Sequence, residues 1–249
     1  EEDWELHHLT QDPTESQDVS AQHPEKLAEL QQAWEQAAWD NQVFPLDEGT
    51  GLLAAQRPPW EAALAEPATF WPATPTVERY RSTQLINSRS FTIEVALDYA
   101  PGDQGVLVAH GDQGGGYVLY VENDHLHLAY NGYGVMTALD GGPLAIGETT
   151  LTLSMEAPGA KLWNATLRVD GTVTAQADGL PMLSSMAPFE GINIGTDRRS
   201  PVSWELHQRH GTFPWTGILH TVTYTPGELA PDSAAHWTDI MREVGTRFD

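Results

Sequence analysis

Cysteine is absent from the 249 residues, which removes disulfides, thiolate metal sites and cysteine nucleophiles. Cations are scarce: 12 Lys+Arg, with Lys26 and Lys161 the two lysines, face 35 Asp+Glu, for a formal net charge of −23. Such a surface repels polyanions and excludes nucleic acid or an anionic membrane face as a partner. No run of about 18 apolar residues occurs, so no membrane-spanning helix is expected. The opening Glu1-Glu2-Asp3 is acidic, unlike the basic start of a secretory signal. A Gly-x-Ser-x-Gly elbow, a His-Glu-x-x-His zinc helix and a Walker loop are all missing. The dearth of lysine fits a soluble surface adapted to salt, in the periplasm or cytoplasm of a bacterium, where screening relieves like-charge repulsion. An ordinary acidic protein fits equally.

Hydrophobic residues make up 40% and charged residues 19% of the chain, enough apolar material for a packed core. Trp4-Glu5-Leu6-His7-His8-Leu9 alternates like a short strand and runs into an Asp12-Pro13 turn. Pro24 suits the first turn of a helix, and Leu27, Leu30, Trp34 and Ala37 or Ala38 recur at helical spacing until Pro45. Residues 46–76 hold five prolines together with Trp60, Phe70 and Trp71. That composition predicts a packed connector with a short helix at Trp60–Ala65. From Val77 the period becomes two. Strands are expected at 91–97, 105–109, 117–121, 126–130, 151–155, 165–169, 172–175, 191–195 and 217–224. Asn123-Asp124 and Asp170-Gly171 read as two-residue hairpin turns. Many short strands with such turns predict an antiparallel β-sandwich over 77–226, lectin- or jelly-roll-like. The tail 227–249, with Trp237, Ile240, Met241 and Val244, has helical spacing.

Chemistry-bearing residues are dispersed. His125 and His127 share a strand face, and His207 and His210 lie three apart, but a zinc site needs three or four converging ligands. Solvated histidines are the simpler reading. Arg198 and Arg199 concentrate charge on a loop after Gly195 and suit an anion clamp, or pairing with the surrounding acids, which the composition favours. Gly114-Gly115-Gly116 lacks the lysine and helix of a phosphate loop and reads as a tight hairpin. Tyr130, Tyr133, Trp163, Trp204 and Trp215 are candidates for stacking on sugar rings, with core packing as the competing use. Of these residues, Arg198, Arg199, Trp204 and Trp215 are the expected ligand-facing set. No catalytic, cofactor-binding or metal-binding residue emerges.

The stretch Trp4–Val19 followed by His23-Pro24-Glu25-Lys26-Leu27, with Pro45-Leu46-Asp47 after it, resembles the end of an arylsulfatase of the formylglycine-dependent type. Gly105–Gly111, Gly115–Val121, Ile192–Asp197, Ser200-Pro201-Val202 and Phe213–Leu219 are similar to the β-rich C-terminal region of long bacterial members. The resemblance implies that residues 1–45 end a sulfatase C-terminal subdomain. It also implies that the chain lacks the α/β catalytic domain, where the calcium ion and the formylglycine of a Cys/Ser-x-Pro-x-Arg motif would lie. That motif does not occur here. The chain is then expected to be the non-catalytic C-terminal part of a sulfatase, itself inactive and without cofactor. Its partners would be the catalytic domain and, at the site mouth, a glycan or sulfate ester. The alternative is an independent carbohydrate-binding, lectin-like sandwich.

Overall fold

In a computed structural model of the chain, residues 4–41, 43, 63–183 and 187–235 are described. The chain divides into two compact units, Glu1–Gln56 and Arg57–Asp249.

In the first unit, Pro24 opens helix α1 (Pro24–Asp40), with Glu25 at its positive end. Asn41 closes the helix, its backbone and side-chain nitrogens both donating to the Ala37 carbonyl, ahead of Pro45. The strand expected at Trp4–Leu9 does not form. The backbone there is held instead by side chains: Leu6 N donates to Asp18 Oδ1 at 2.9 Å, and Val19 N to the Leu6 carbonyl at 2.8 Å. Asp12 gathers Thr14, Ser16 and Gln17 N in the same way. Hydrogen bonds from the Leu6 amide and from Ser20 hold the Asp18 carboxyl down at about 2. Alternation alone cannot make a strand without a partner edge, and capped Asp turns supply a competing set of bonds. Trp4 meets Trp34 edge-to-face at 5.4 Å.

In the second unit the period-two pattern becomes two antiparallel sheets packed face to face. The strands are β1 (Ala68–Phe70), β2 (Arg89–Tyr99), β3 (Gly105–Asp112), β4 (Gly115–Glu122), β5 (His125–Gly132), β6 (Val135–Pro143), β7 (Gly147–Gly159), β8 (Leu162–Val169), β9 (Thr172–Pro181), β10 (Ile192–Ile194) and β11 (Ile218–Leu229). One sheet runs β1-β11-β2-β7-β8-β9 and the other β10-β3-β4-β5-β6. Of the expected connector helix, Ala63–Ala65 is a 3-10 turn and the rest lies outside the described residues, as do Pro45-Leu46-Asp47 and residues 236–249 of the tail, whose first residues 227–229 belong to β11. Two helices interrupt the strands where no helix is expected. They are α2 (Arg79–Ile86), capped by the Glu78 carboxylate on Tyr80 N and Arg81 N, and α3 (Trp204–His210).

Burial alternates along β2 and β7, so Phe91, Ile93, Val95, Leu97, Leu151, Leu153 and Met155 face inward. They meet Tyr117, Leu119, Val121, Leu126, Leu128 and Tyr130 from the second sheet. The hydroxyls in this core are paired: Tyr117 Oη donates to Tyr224 Oη at 3.2 Å, and Tyr130 Oη to the Pro181 carbonyl. Burial pushes His110, beside Tyr117, down to about 3 and keeps it neutral. Both residues of the turns Asn123-Asp124 and Asp170-Gly171 have positive φ, as a tight hairpin requires. Tyr133-Gly134 and Ala160-Lys161 repeat that geometry without the usual dipeptide.

Trp163 is fully buried and donates its indole N–H to the Arg89 carbonyl at 2.9 Å, whereas Trp71 is 59% exposed. Urea denaturation should show Trp163→Ala losing about 3–5 kcal/mol and Trp71→Ala losing less than about 0.5 kcal/mol.

Candidate functional site

Strands β3 and β4 are buried along nearly their whole length, which an alternating strand achieves only when both faces are covered. The second cover is built by residues 202–213. Val202, Leu206 and Phe213 pack on Val106, Ala109, Val118, Tyr120 and Ala129 of the outer face. Ser203 starts α3 by accepting Leu206 N, and Gly211 ends it with φ +67 while its N–H donates to the His207 carbonyl.

Side chains fasten this cover at both ends. At its root, Val202 N donates to Asp197 Oδ2 at 3.0 Å, and Asn131 Nδ2 donates to the Val202 carbonyl at 3.2 Å. Asn131 also donates to the Gln113 carbonyl and accepts Gly134 N, so it ties two hairpin turns to the cover. Asp112 Oδ2 accepts both Phe189 N and Glu190 N at 2.9 Å, and its Oδ1 accepts Gly114 N. At the far end, Glu122 of β4 receives His210 and Arg209 from α3, and Arg209 also pairs with Glu205 at 2.7 Å. Burial works against the Glu122 charge, but the hydrogen bond from His210 and the Arg209 charge outweigh it and hold the carboxyl below its ordinary range.

Between α3 and the outer face of β4–β6 lies a groove of about 400 Å³. Tyr120, Ala129, Met136 and Ala138 form its apolar lining, and Gln113, Asn131, Glu205 and Arg209 supply polar groups. Trp204 stands among them, 53% exposed, its ring stacked on His207 with centroids 5.5 Å apart. Glu205 and Arg209 are the charged groups of this lining and neutralise one another.

The structure separates the four expected ligand-facing residues. Trp204 lines the groove. Arg198 and Trp215 line a second cavity of about 560 Å³, with Ile194, Thr196, Ile218 and Leu219. Arg199 is exposed with φ +61 and lines neither. Among the described residues neither arginine makes an ion pair, contrary to the pairing with acids that composition favours. Tyr130 and Trp163 belong to the core, which removes them as stacking platforms, while Tyr133 is half-exposed on the β5–β6 turn. The histidines do not converge. His125 binds Asp140, His127 binds the Glu122 carbonyl and stacks on Tyr120, His207 stacks on Trp204 and His210 binds Glu122. Among the described residues no group of three or more His, Cys, Asp or Glu could hold a metal ion, and no helix is long and apolar enough to cross a membrane. Asn131, Met136, Glu205 and Arg209 went unnoticed in the sequence. The cap signals Ser203 and Gly211 around α3 would have located the last two.

The chain is thus an antiparallel β-sandwich of two sheets, with one outer face covered by a helix. No family model and no curated protein matches the sequence. Among solved structures, a carbohydrate-binding module (CBM40) of the Ruminococcus gnavus IT-sialidase bound to α2,3-sialyllactose matches with 16% identity and a TM-score of 0.44, over 68% of this chain and 95% of that one. The leech intramolecular trans-sialidase matches with 13% identity and a TM-score of 0.44, over 67% of this chain and 26% of that one. Domains LG4-5 of the mouse laminin α1 chain match with 9% identity and a TM-score of 0.43, over 67% and 43%. These findings correct the resemblance to an arylsulfatase C-terminal region: no family model matches, and the solved structures that do match include domains of sialidases, laminin and a botulinum neurotoxin. The assignment as a sulfatase part, and the catalytic-domain partner that it implied, are withdrawn.

Because Glu122 has a lowered carboxyl value in the folded chain, its contribution is present above the ordinary 4.5 and is lost as pH falls through the lowered value. Glu122→Gln should therefore be less stable than wild type at neutral pH, and the gap should close well below 4.5 when both are denatured in urea.

Proposed function

We propose that this chain is a carbohydrate-binding module and that its sugar site is the groove between α3 and strands β4–β6. The observation that carries this reading is Trp204, half-exposed on a helix fastened at both ends, at a groove of about 400 Å³ with polar groups around an apolar floor. A pyranose ring has an apolar face of C–H groups and a rim of hydroxyls. An indole covers the first, and planar amide, carboxylate and guanidinium groups pair with the second. The volume falls in the range of small-ligand sites. A platform held by two sets of hydrogen bonds has little freedom to lose when a sugar binds.

The charge pattern narrows the ligand. Arg209 is shared between Glu205 and Glu122, so the groove offers no spare cation to an acidic sugar. The net charge of −23 repels anionic glycans as well. Neutral oligosaccharides are the ligands this site suits.

Calorimetric titration of the chain against neutral and acidic oligosaccharides, cellohexaose and maltoheptaose among the neutral ones, tests the reading. Binding should be confined to neutral sugars. Trp204→Ala should weaken it by about tenfold or more, and Trp215→Ala should leave it unchanged. Failure to bind any neutral sugar, or wild-type affinity in Trp204→Ala, would overturn it. Loss of binding in Trp215→Ala alone would move the site to the Arg198 cavity.

A further inference from the structure

We propose that Asp197 is the positioning residue of the groove, a proton-operated latch: its neutral carboxyl holds Val202 and the start of α3 on the sheet, and its ionisation loosens that hold. The proposal rests on the groove reading for its functional consequence, while the latch itself can be tested without ligand.

Asp197 sits three residues beyond β10 and is 4% exposed. Its own N–H donates to the Thr212 carbonyl, which also accepts the Thr196 hydroxyl, so the loop is stitched to the chain leaving α3. Its Oδ2 accepts Val202 N, and Val202 is joined two residues later by Trp204. Its Oδ1 is buried and has no hydrogen-bond partner. A carboxylate in that position lacks a second donor and a counter-charge, both of which a buried charge requires. The charged neighbours on the packed elements do not help. Asp112 at the end of β3 and Glu190 on the segment before β10 add like charge, and Arg198 and Arg199, next in the chain, make no ion pair with it.

Burial is the main cause that pushes the Asp197 carboxyl up to about 7, against the pull of the Val202 amide. A proton on Oδ1 removes the buried charge and leaves the Oδ2 bond to Val202 in place. Because the folded value lies above the ordinary 3.8, the stabilisation is full below 3.8 and is lost as pH rises through about 7. Ionisation strengthens the one bond from Val202 N but leaves a buried charge whose other oxygen has no donor, so it favours opening of the α3 entry to water, and the groove wall follows.

The test compares wild type with Asp197→Asn, which keeps an acceptor for Val202 N but cannot ionise. Amide-exchange protection of Val202 and α3, corrected for intrinsic rates, is measured without ligand at about pH 5 and about pH 8, either side of about 7. Wild-type protection should fall by about tenfold or more, and that of Asp197→Asn should stay level. Affinity for cellohexaose should fall in parallel in the wild type alone. Level wild-type protection, or an equal slope in the variant, would overturn the latch. A ligand-free slope without cellohexaose binding would support the latch and count against the groove reading. Should the variant fail to fold, the carboxyl-carbon resonance of Asp197 in the wild type decides: a midpoint near 7 supports the latch, and one near 3.8 overturns it.

Discussion

A strand buried on both faces needs two partners, and β3 and β4 obtain the second from a loop and a two-turn helix rather than from another sheet. Eight residues, from Val106 to Phe213, make that second contact, so little apolar surface is available to hold the cover down. Its attachment therefore depends on polar ties. Asn131 and Asp197 take the two backbone groups of Val202, and Glu122 takes Arg209 and His210 at the other end. The two ties to Val202 are shielded from water, where an unmade hydrogen bond costs more than a made one gains, whereas the Arg209 tie is exposed. The groove is a by-product of this arrangement, because α3 stands away from β5 and β6 while its ends are pinned.

The same ties explain how so acidic a chain presents a neutral site. Of the few cations available, Arg209 is committed to two carboxylates at the groove edge. Arg198, beside the other cavity, has no acid partner among the described residues. The surface as a whole is repulsive to anions, and the groove is the place where polarity without net charge meets an exposed indole. A ligand that is uncharged, ring-shaped and rich in hydroxyls satisfies those conditions together.

The sandwich was legible because alternation is a local signal: Phe91–Leu97 and Leu151–Met155 state their inward faces residue by residue, and Asp170-Gly171 states its turn. The Trp4–Leu9 alternation carried the same signal and misled, since a strand also needs an edge to pair with and Asp18 competed for its backbone. Strand β6 escaped notice because its exposed positions Val135 and Met136 blur the period. The groove was only partly legible. Trp204 stood out as an aromatic residue, but nothing local distinguishes it from Trp163, which the fold buries completely. Asn131 and Asp197 are separated by a long stretch of chain and meet at the two backbone groups of one residue, Val202, a relation that only the folded chain creates.

Chemical-shift mapping by NMR on the 15N-labelled chain tests the central claim most directly, with cellohexaose and maltoheptaose as titrants. The account predicts that the largest shifts fall on the Trp204 indole N–H and on the amides of Gln113, Asn131, Met136, Ala138 and α3. Shifts centred on Gly195–Arg198 and Trp215–Leu219, or no shift with either sugar, would contradict it.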